Sequence, residues 1–243
     1  MAPQSRPLPL LLTRPAAQGD RFATDLATQM PGWFDLFSSP LMAAVFLAPE
    51  LPRSEWSSVI LTSETGVEAA NRLRSGGLPL PRAAWCVGDR TAQVAQAAGF
   101  DARSARGDAE ALISLILASD DRGPFLHLRG RESRGDIAPR LSAQGRLADA
   151  AIVYAQDPLP LTPQATAVLS AQTPVVVPLF SPRSAALFAA QGPFSAPLWI
   201  VAISAATARA VETLTPQRLA IAERPDGAAM LAAVQTIVNE RAS

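Results

Sequence analysis

"VGDRTAQVAQAAG" spans Val87–Gly99 and "ISAATARAVE" spans Ile203–Glu212. Each follows an apolar strand-like run, "AAWC" in one case and "LWIVA" in the other. Each then supplies a turn of small or polar residues, a Thr-Ala pair and the opening of an amphipathic helix. One strand–turn–helix junction is therefore written twice in the chain.

The repetition extends outward from these two phrases. In the middle of the chain the order is "VILTSETGVEAA" (Val59–Ala70), "CVGDRTAQVA" (Cys86–Ala95), then "RGDAEALISLI" (Arg106–Ile116). Near the end it is "VVPLFSPRSAALF" (Val176–Phe188), "AISAATARAV" (Ala202–Val211), then "RPDGAAMLAAV" (Arg224–Val234). Thr91 follows Ser63 by 28 positions and Thr207 follows Ser181 by 26. Asp108 follows Thr91 by 17 and Asp226 follows Thr207 by 19. Three elements in one order at similar spacing point to two related domains.

Short apolar strands alternate with helices along the whole chain. The pattern runs from "LPLLLT" through a helix at 18–29 and "GWFDLF" to the last helix, "GAAMLAAVQTIVNE". Nearly continuous apolar strands between helices belong to parallel α/β sheets covered on both faces. Asp108 is the expected N-cap of the helix in "DAEALISLILAS". The block from about Val59 to Tyr154 supplies five strands, and the block after Pro158 supplies three. The two N-terminal strands complete the second set. The expected domains are residues 1–37 plus 158–243, a discontinuous unit, and residues 41–154, inserted into it. The connectors fall near 38–40 and 155–157, forming a two-stranded hinge with the ligand cleft between the domains.

Composition narrows the chemistry. The 243 residues carry a formal net charge of zero, which favours neither nucleic acid nor an anionic membrane as partner. The apolar runs are short and broken by Pro, Gly or Arg, so no membrane span is expected. The opening "MAPQSRPLPLLLTRP" is too short and Pro-broken in its apolar part for a signal peptide, and a cytoplasmic protein is expected. The chain has no lysine, which leaves no residue for a Schiff base, a pyridoxal phosphate anchor or a Walker P-loop. One His and one Cys build no Cys/His zinc site within one chain, and no metal site is expected. A Ser-His-Asp triad would have to use His127, whose setting in "PFLHLRG" reads as core. All basic residues are arginine, a planar bidentate binder of carboxylates.

Several residues fall at strand carboxyl ends, where doubly wound sheets bind ligands beside helix N-termini. Gly88 and Ser204 would let a carboxylate approach the backbone. Thr91 and Thr207 either add a hydroxyl to that site or cap their helices. Ser63 and Ser181 occupy equivalent turns and either donate hydrogen bonds to a ligand or act as N-caps. Arg14 follows the first strand, Arg129, Arg131 and Arg134 follow "PFLHL", and Arg183 follows "PLF". As a set they suit a polycarboxylate. Tyr154, the only tyrosine, ends the last strand of the inserted domain. A phenol is protonated at neutral pH and donates a hydrogen bond or a proton.

"LLTRP", "ILTSETGVEA", "VGDRTA", the "VY" at Tyr154, "SPRSAALF" and "ISAATA", taken in order, resemble the uroporphyrinogen-III synthase family. "TSETG" departs from the Ser-x-Asn form common there, so Glu64 and Thr65 are given no role. The resemblance implies two flavodoxin-like domains joined by a two-stranded connector. It implies closure of hydroxymethylbilane to a macrocycle with inversion of ring D and loss of water, without a cofactor. It places the catalytic tyrosine at Tyr154 and matches the turns at Thr91 and Thr207; the candidate substrate contacts, read from their places at strand ends, are Arg14, Ser63, Gly88, Thr91, Arg129, Ser181, Arg183, Ser204 and Thr207. The expected partners are the small-molecule substrate and, transiently, the upstream bilane-forming enzyme. The rival reading is a non-catalytic two-domain module of the same fold that holds a polycarboxylate ligand or a pathway partner.

Overall fold

A computed structural model describes residues 7–51, 55–132 and 135–239. The chain divides into two compact units. One takes the chain up to Ala43 and again from Pro158, and the other takes Ala44–Asp157.

The first unit is built on a five-stranded sheet. Its strands are β1 (Leu8–Leu12), β2 (Phe34–Ser38), β9 (Val175–Leu179), β10 (Leu198–Ala202) and β11 (Arg218–Ile221), in the order β11-β10-β9-β1-β2. All its pairings are parallel, from Leu8 opposite Phe34 at one side to Ala202 opposite Ile221 at the other. Every residue of β9 and β10 is buried, which explains their wholly apolar content. Leu10, Leu12 and Val176 face helices α1 (Ala16–Gln29) and α9 (Gly227–Asn239), through Phe22, Leu26 and Val234. Leu11, Val175 and Val177 face α6 (Pro163–Leu169) and α7 (Pro182–Ala189), through Leu169 and Phe188. This is the period-2 alternation of a sheet covered on both sides, and each such aliphatic side chain contributes roughly 1.5–3 kcal/mol by leaving water.

The second unit holds a six-stranded sheet. Its strands are β3 (Met42–Phe46), β4 (Ser58–Leu61), β5 (Ala83–Cys86), β6 (Asp101–Ser104), β7 (Phe125–Gly130) and β8 (Ala148–Pro158), in the order β3-β8-β7-β4-β5-β6. The pairings of β4 with β5 and β7, of β5 with β6 and of β7 with β8 are parallel. Helices α2 (Glu64–Ser75) and α3 (Asp89–Ala97) cover one face through Val67, Ala70 and Ala95. Helices α4 (Ala109–Ala118) and α5 (Ile137–Ala143) cover the other through Ile113, Ile116 and Leu141. His127 lies in β7 at 2% exposure, a core histidine as its setting implied.

The two sheets explain the repeated phrases. Strands β4, β5 and β6 correspond to β9, β10 and β11, and β7 and β8 to β1 and β2. With that substitution the orders 6-5-4-7-8 and 11-10-9-1-2 are the same. The unit closed by the two chain ends is thus a cyclic reordering of the inserted one. Helix starts match as well: Ser63 and Ser181 are N-caps with φ of −156° and −160°, and Gly88 and Ser204 with −140° and −160°. Asp108 accepts from the N–H groups of Glu110 and Ala111 as expected, and Asp226 accepts from that of Ala229 at the start of α9.

Three features differ from the sequence reading. Strand β3 was not expected, because "MAAVF" is Ala-rich and only its first residue is buried. Residues 155–157, read as connector, form the last part of β8, which runs unbroken to Pro158. The amphipathic helix expected to open at the Thr207–Ala208 pair is split into α8 (Ala205–Arg209) and a separate 3-10 turn, Glu212–Leu214. Among the described residues no helix is long and apolar enough to cross a membrane.

Candidate active site

In the inserted unit the site grows from the carboxyl ends of β4 and β7 and from Tyr154, which lies within β8 opposite the last residue of β7. Ser63 leaves the fully buried β4 and caps α2, its Oγ accepting the Gly66 N–H at 2.9 Å. The Tyr154 hydroxyl lies 2.9 Å from the same Oγ. A serine hydroxyl has one proton and two lone pairs. With one lone pair taken by the Gly66 N–H, Ser63 can donate its proton to the phenol oxygen. The phenolic proton is then left for a bound molecule. Tyr154 is half-buried beside the core that contains Val67 and Leu128, and its carbonyl accepts the Arg131 N–H at 2.9 Å.

Arg129 is half-buried at the end of β7, and its Nη1 donates to the carbonyls of Gly130 at 3.1 Å and Arg131 at 3.4 Å. It braces the turn beside Tyr154. Arg131 is exposed, and Arg134 lies outside the described residues. At the next strand end Gly88 caps α3 without a side chain, and Asp89 occupies the first helical position. Thr91 stands at the third helical position, 7% exposed. Arg90 pairs with Glu64 at 3.4 Å and Arg106 with Asp89 at 3.7 Å, so charges of both signs surround this helix start.

In the other unit Arg14 follows β1. Its guanidinium stacks 4.0 Å over the Phe180 ring, and Nη2 donates to Gln18 Oε1 at 3.1 Å. The preceding Thr13 is 1% exposed, and its Oγ1 has no hydrogen-bond partner among the described residues. Ser181 caps α7, accepting the Ser184 N–H at 3.1 Å, with its hydroxyl 2.9 Å from that of Ser184. Arg183 is half-buried in the first turn of the same helix. Ser204 caps α8, accepting the Thr207 N–H at 3.3 Å, and the two hydroxyls are 3.0 Å apart.

Neither threonine is a cap, since Gly88 and Ser204 hold those positions. Thr207 has 0% exposure, and its hydroxyl lies 3.0 Å from that of Ser204. Its burial behind a helix of five residues leaves the backbone of exposed Ala205 and Ala206 as the outward face of the "ISAATA" turn.

The structure joins Ser63 to Tyr154 directly, and Ser204 to Thr207. It adds two residues absent from the sequence reading, Gly66 and Gly130, which flank the Tyr154 ring. A signal for Gly66 was present. At the other three matched caps the third helical residue is Thr91, Ser184 or Thr207, each with a hydroxyl, and only after Ser63 is it glycine. The remaining reactive groups stand apart. Burial pushes the Cys86 thiol up to about 12, and burial, with Arg129 nearby, pushes His127 down to about 4. Among the described residues no three His, Cys, Asp or Glu side chains gather as a metal site would require.

Fold and site together define a doubly wound α/β protein of two related units, with polar groups collected at strand carboxyl ends. The family model described as uroporphyrinogen-III synthase HemD matches residues 34–232, and the chain belongs to the uroporphyrinogen-III synthase family. The fold agrees with that of a uroporphyrinogen-III synthetase from Helicobacter pylori. That structure is 17% identical with a TM-score of 0.64, the match covering 95% of this chain and 99% of that one. A mutant uroporphyrinogen III synthase from the extremely thermophilic bacterium Thermus thermophilus is 14% identical with a TM-score of 0.50, covering 96% of this chain and 99% of its own. No curated protein sequence matches the chain. The chain is an enzyme of tetrapyrrole biosynthesis that cyclises hydroxymethylbilane to uroporphyrinogen III.

Proposed function

We propose that Tyr154 is the group that assists departure of the bilane hydroxyl, and that Ser63 holds it for that task. The observation that carries this reading is the 2.9 Å contact between Ser63 Oγ and the phenol at the start of α2. The departing hydroxyl leaves as water as it gains a proton, and the carbon it leaves becomes a cationic azafulvene. A phenol that receives a hydrogen bond from Ser63 is a better-placed donor to that oxygen. Attack by ring D through its substituted position, followed by fragmentation and re-closure, inverts the ring. The proton released as the ring regains aromaticity balances the one given to water.

In solution the bilane closes without inversion, so conformation of the bound substrate decides the product, and positioning is the larger part of the catalysis. We assign that task to groups at strand ends. Arg14 and Arg183 supply planar cations for carboxylates. The backbone beside Gly88, Ser181 and Ser204 supplies N–H donors. Arg129 acts on the β7 turn through its two carbonyl bonds. Thr91 and Thr207 stiffen their turns from behind. We keep residues 1–37 with 158–243 and residues 41–154 as the domains of this enzyme, a division supported by the compact units. We further infer a cytoplasmic enzyme that takes its unstable substrate close to the upstream bilane-forming enzyme, through a transient contact.

Purified protein supplied with fresh hydroxymethylbilane is expected to yield the inverted isomer, resolved from the non-inverted one by chromatography after oxidation. Formation of the non-inverted isomer alone, at the spontaneous rate, would favour the non-catalytic module instead.

A further inference from the structure

The Tyr154 ring is seated where two glycines leave room for it. Strands β7 and β8 pair regularly from Phe125 opposite Ala148 to Arg129 opposite Ile152, then slip by one residue so that Gly130 faces Tyr154. A Cβ on Gly130 would stand 2.6 Å from Tyr154 Cζ, 2.8 Å from Cε2 and 2.9 Å from the hydroxyl oxygen. A Cβ on Gly66 would stand 3.2 Å from Ser63 Oγ, 3.4 Å from the Leu128 carbonyl and 3.9 Å from Tyr154 Cε1. Neither glycine has the left-handed φ that would explain it as turn chemistry. Space explains both. Gly66 also sits inside a helix, where glycine costs about 1 kcal/mol relative to alanine. At the corresponding caps of the other unit a side-chain hydroxyl fills this place, with Ser184 bonded to Ser181 and Thr207 to Ser204. After Ser63 that place is vacated, and the phenol of Tyr154 bonds the cap instead.

We propose that Gly130 is a positioning residue of the active site: with Gly66 it forms a slot that fixes the Tyr154 ring and aims its hydroxyl. The proposal rests on the reading of Tyr154 as the donor. A methyl group at residue 130 overlaps three phenol atoms and forces the ring out, as overpacking does in any tight site. Ser63 alone cannot hold a ring that no longer fits.

Tyr154 is the chain's only tyrosine, so ring-labelled tyrosine gives a single set of ring resonances. Gly130→Ala is expected to shift that set, and to lower kcat by about tenfold or more with KM little changed. In a Tyr154→Ala background, where no ring remains to be displaced, adding Gly130→Ala is expected to change kcat by less than about twofold. If Gly130→Ala alone fails to fold, Gly130→Ala/Tyr154→Ala is expected to fold, because the overlap is gone. An unshifted ring signal, an equal loss of activity in both backgrounds, or a double variant that also fails to fold would each overturn the slot. Wild-type turnover by Tyr154→Phe, alongside a displaced ring signal in Gly130→Ala, would overturn the donor reading and Gly130's part in turnover with it.

Discussion

Ser63 Oγ and the Tyr154 hydroxyl meet at 2.9 Å although 91 residues separate them in the chain. The crossover that places β7 between β4 and β8 brings Tyr154, within β8, to the start of α2. Ser63 serves two partners with one oxygen, the N–H of Gly66 and the phenol. Helix capping and orientation of the donor are thereby linked.

Tyr154→Phe keeps the ring in its slot and removes only the hydroxyl. The variant is expected to fold normally and to lose about 1.5–3 kcal/mol of transition-state stabilisation, roughly ten- to hundredfold in rate. Appreciable inversion should persist, because positioning of the bilane does not depend on the phenol. Isomer-resolved kinetics check this, and a rate equal to wild type would make Tyr154 incidental.

His127 sets an acid limit on stability. Burial in β7 and the nearby Arg129 guanidinium lower its pKa from 6.5 to about 4 in the folded state. The unfolded chain therefore takes up the proton first as pH falls. Stability is complete above pH 6.5, declines between 6.5 and about 4, and loses nothing further from this group below that. The total is on the order of 3 kcal/mol at most. Its Nε2 has no hydrogen-bond partner among the described residues, so His127→Leu forfeits little at neutral pH. Urea midpoints should fall from about pH 7 to about pH 5 in wild type and stay level in His127→Leu. An equal fall in both would show that His127 does not carry the loss. Asp121 acts at lower pH. Burial would raise its pKa, but hydrogen bonds from the Gly123 N–H, Ser58, Ser57 and Trp85 outweigh that and hold it low. A lowered carboxylate loses its contribution only below its ordinary range near about pH 4, so the two groups act in separate windows.

Some of this was readable from residues alone. The unbroken apolar runs of β9 and β10 announce strands buried on both faces, and Asp108 announces its helix. Strand β3 did not announce itself, because half-exposed Ala residues carry little period-2 contrast. The ordered repeat disclosed two related halves, but the matching strand orders became visible only once pairing was known. The site was partly visible in the same way. Tyr154 and Ser63 stood out as separate polar residues at strand ends, while their contact depends on a crossover that no local pattern encodes. The burial of Thr207 was not legible, because exposure at a helix start depends on which side faces the sheet.

The part played by the repeated phrase can itself be tested. Thr207 is fully buried, donates its N–H to Ser204 and shares a hydroxyl hydrogen bond with it. Thr207→Ala should therefore cost about 1–2 kcal/mol of stability, from one hydrogen bond and one buried methyl. Thr207→Ser keeps the hydroxyl and should recover the hydrogen-bond share. Thr91→Ala, at the matching position behind Gly88, should cost about 1 kcal/mol through its buried methyl and lost packing. The two residues belong to different compact units, so the stability losses of the double variant should add within about 0.5 kcal/mol. If both residues act only on their turns, isomer-resolved turnover per folded molecule should stay within about twofold of wild type in all these variants. A raised KM for the bilane in Thr207→Ala at unchanged melting temperature would reverse this. So would kinetic coupling between the two alanine substitutions without coupling in stability, which would restore the paired threonines as direct contacts to one bound molecule.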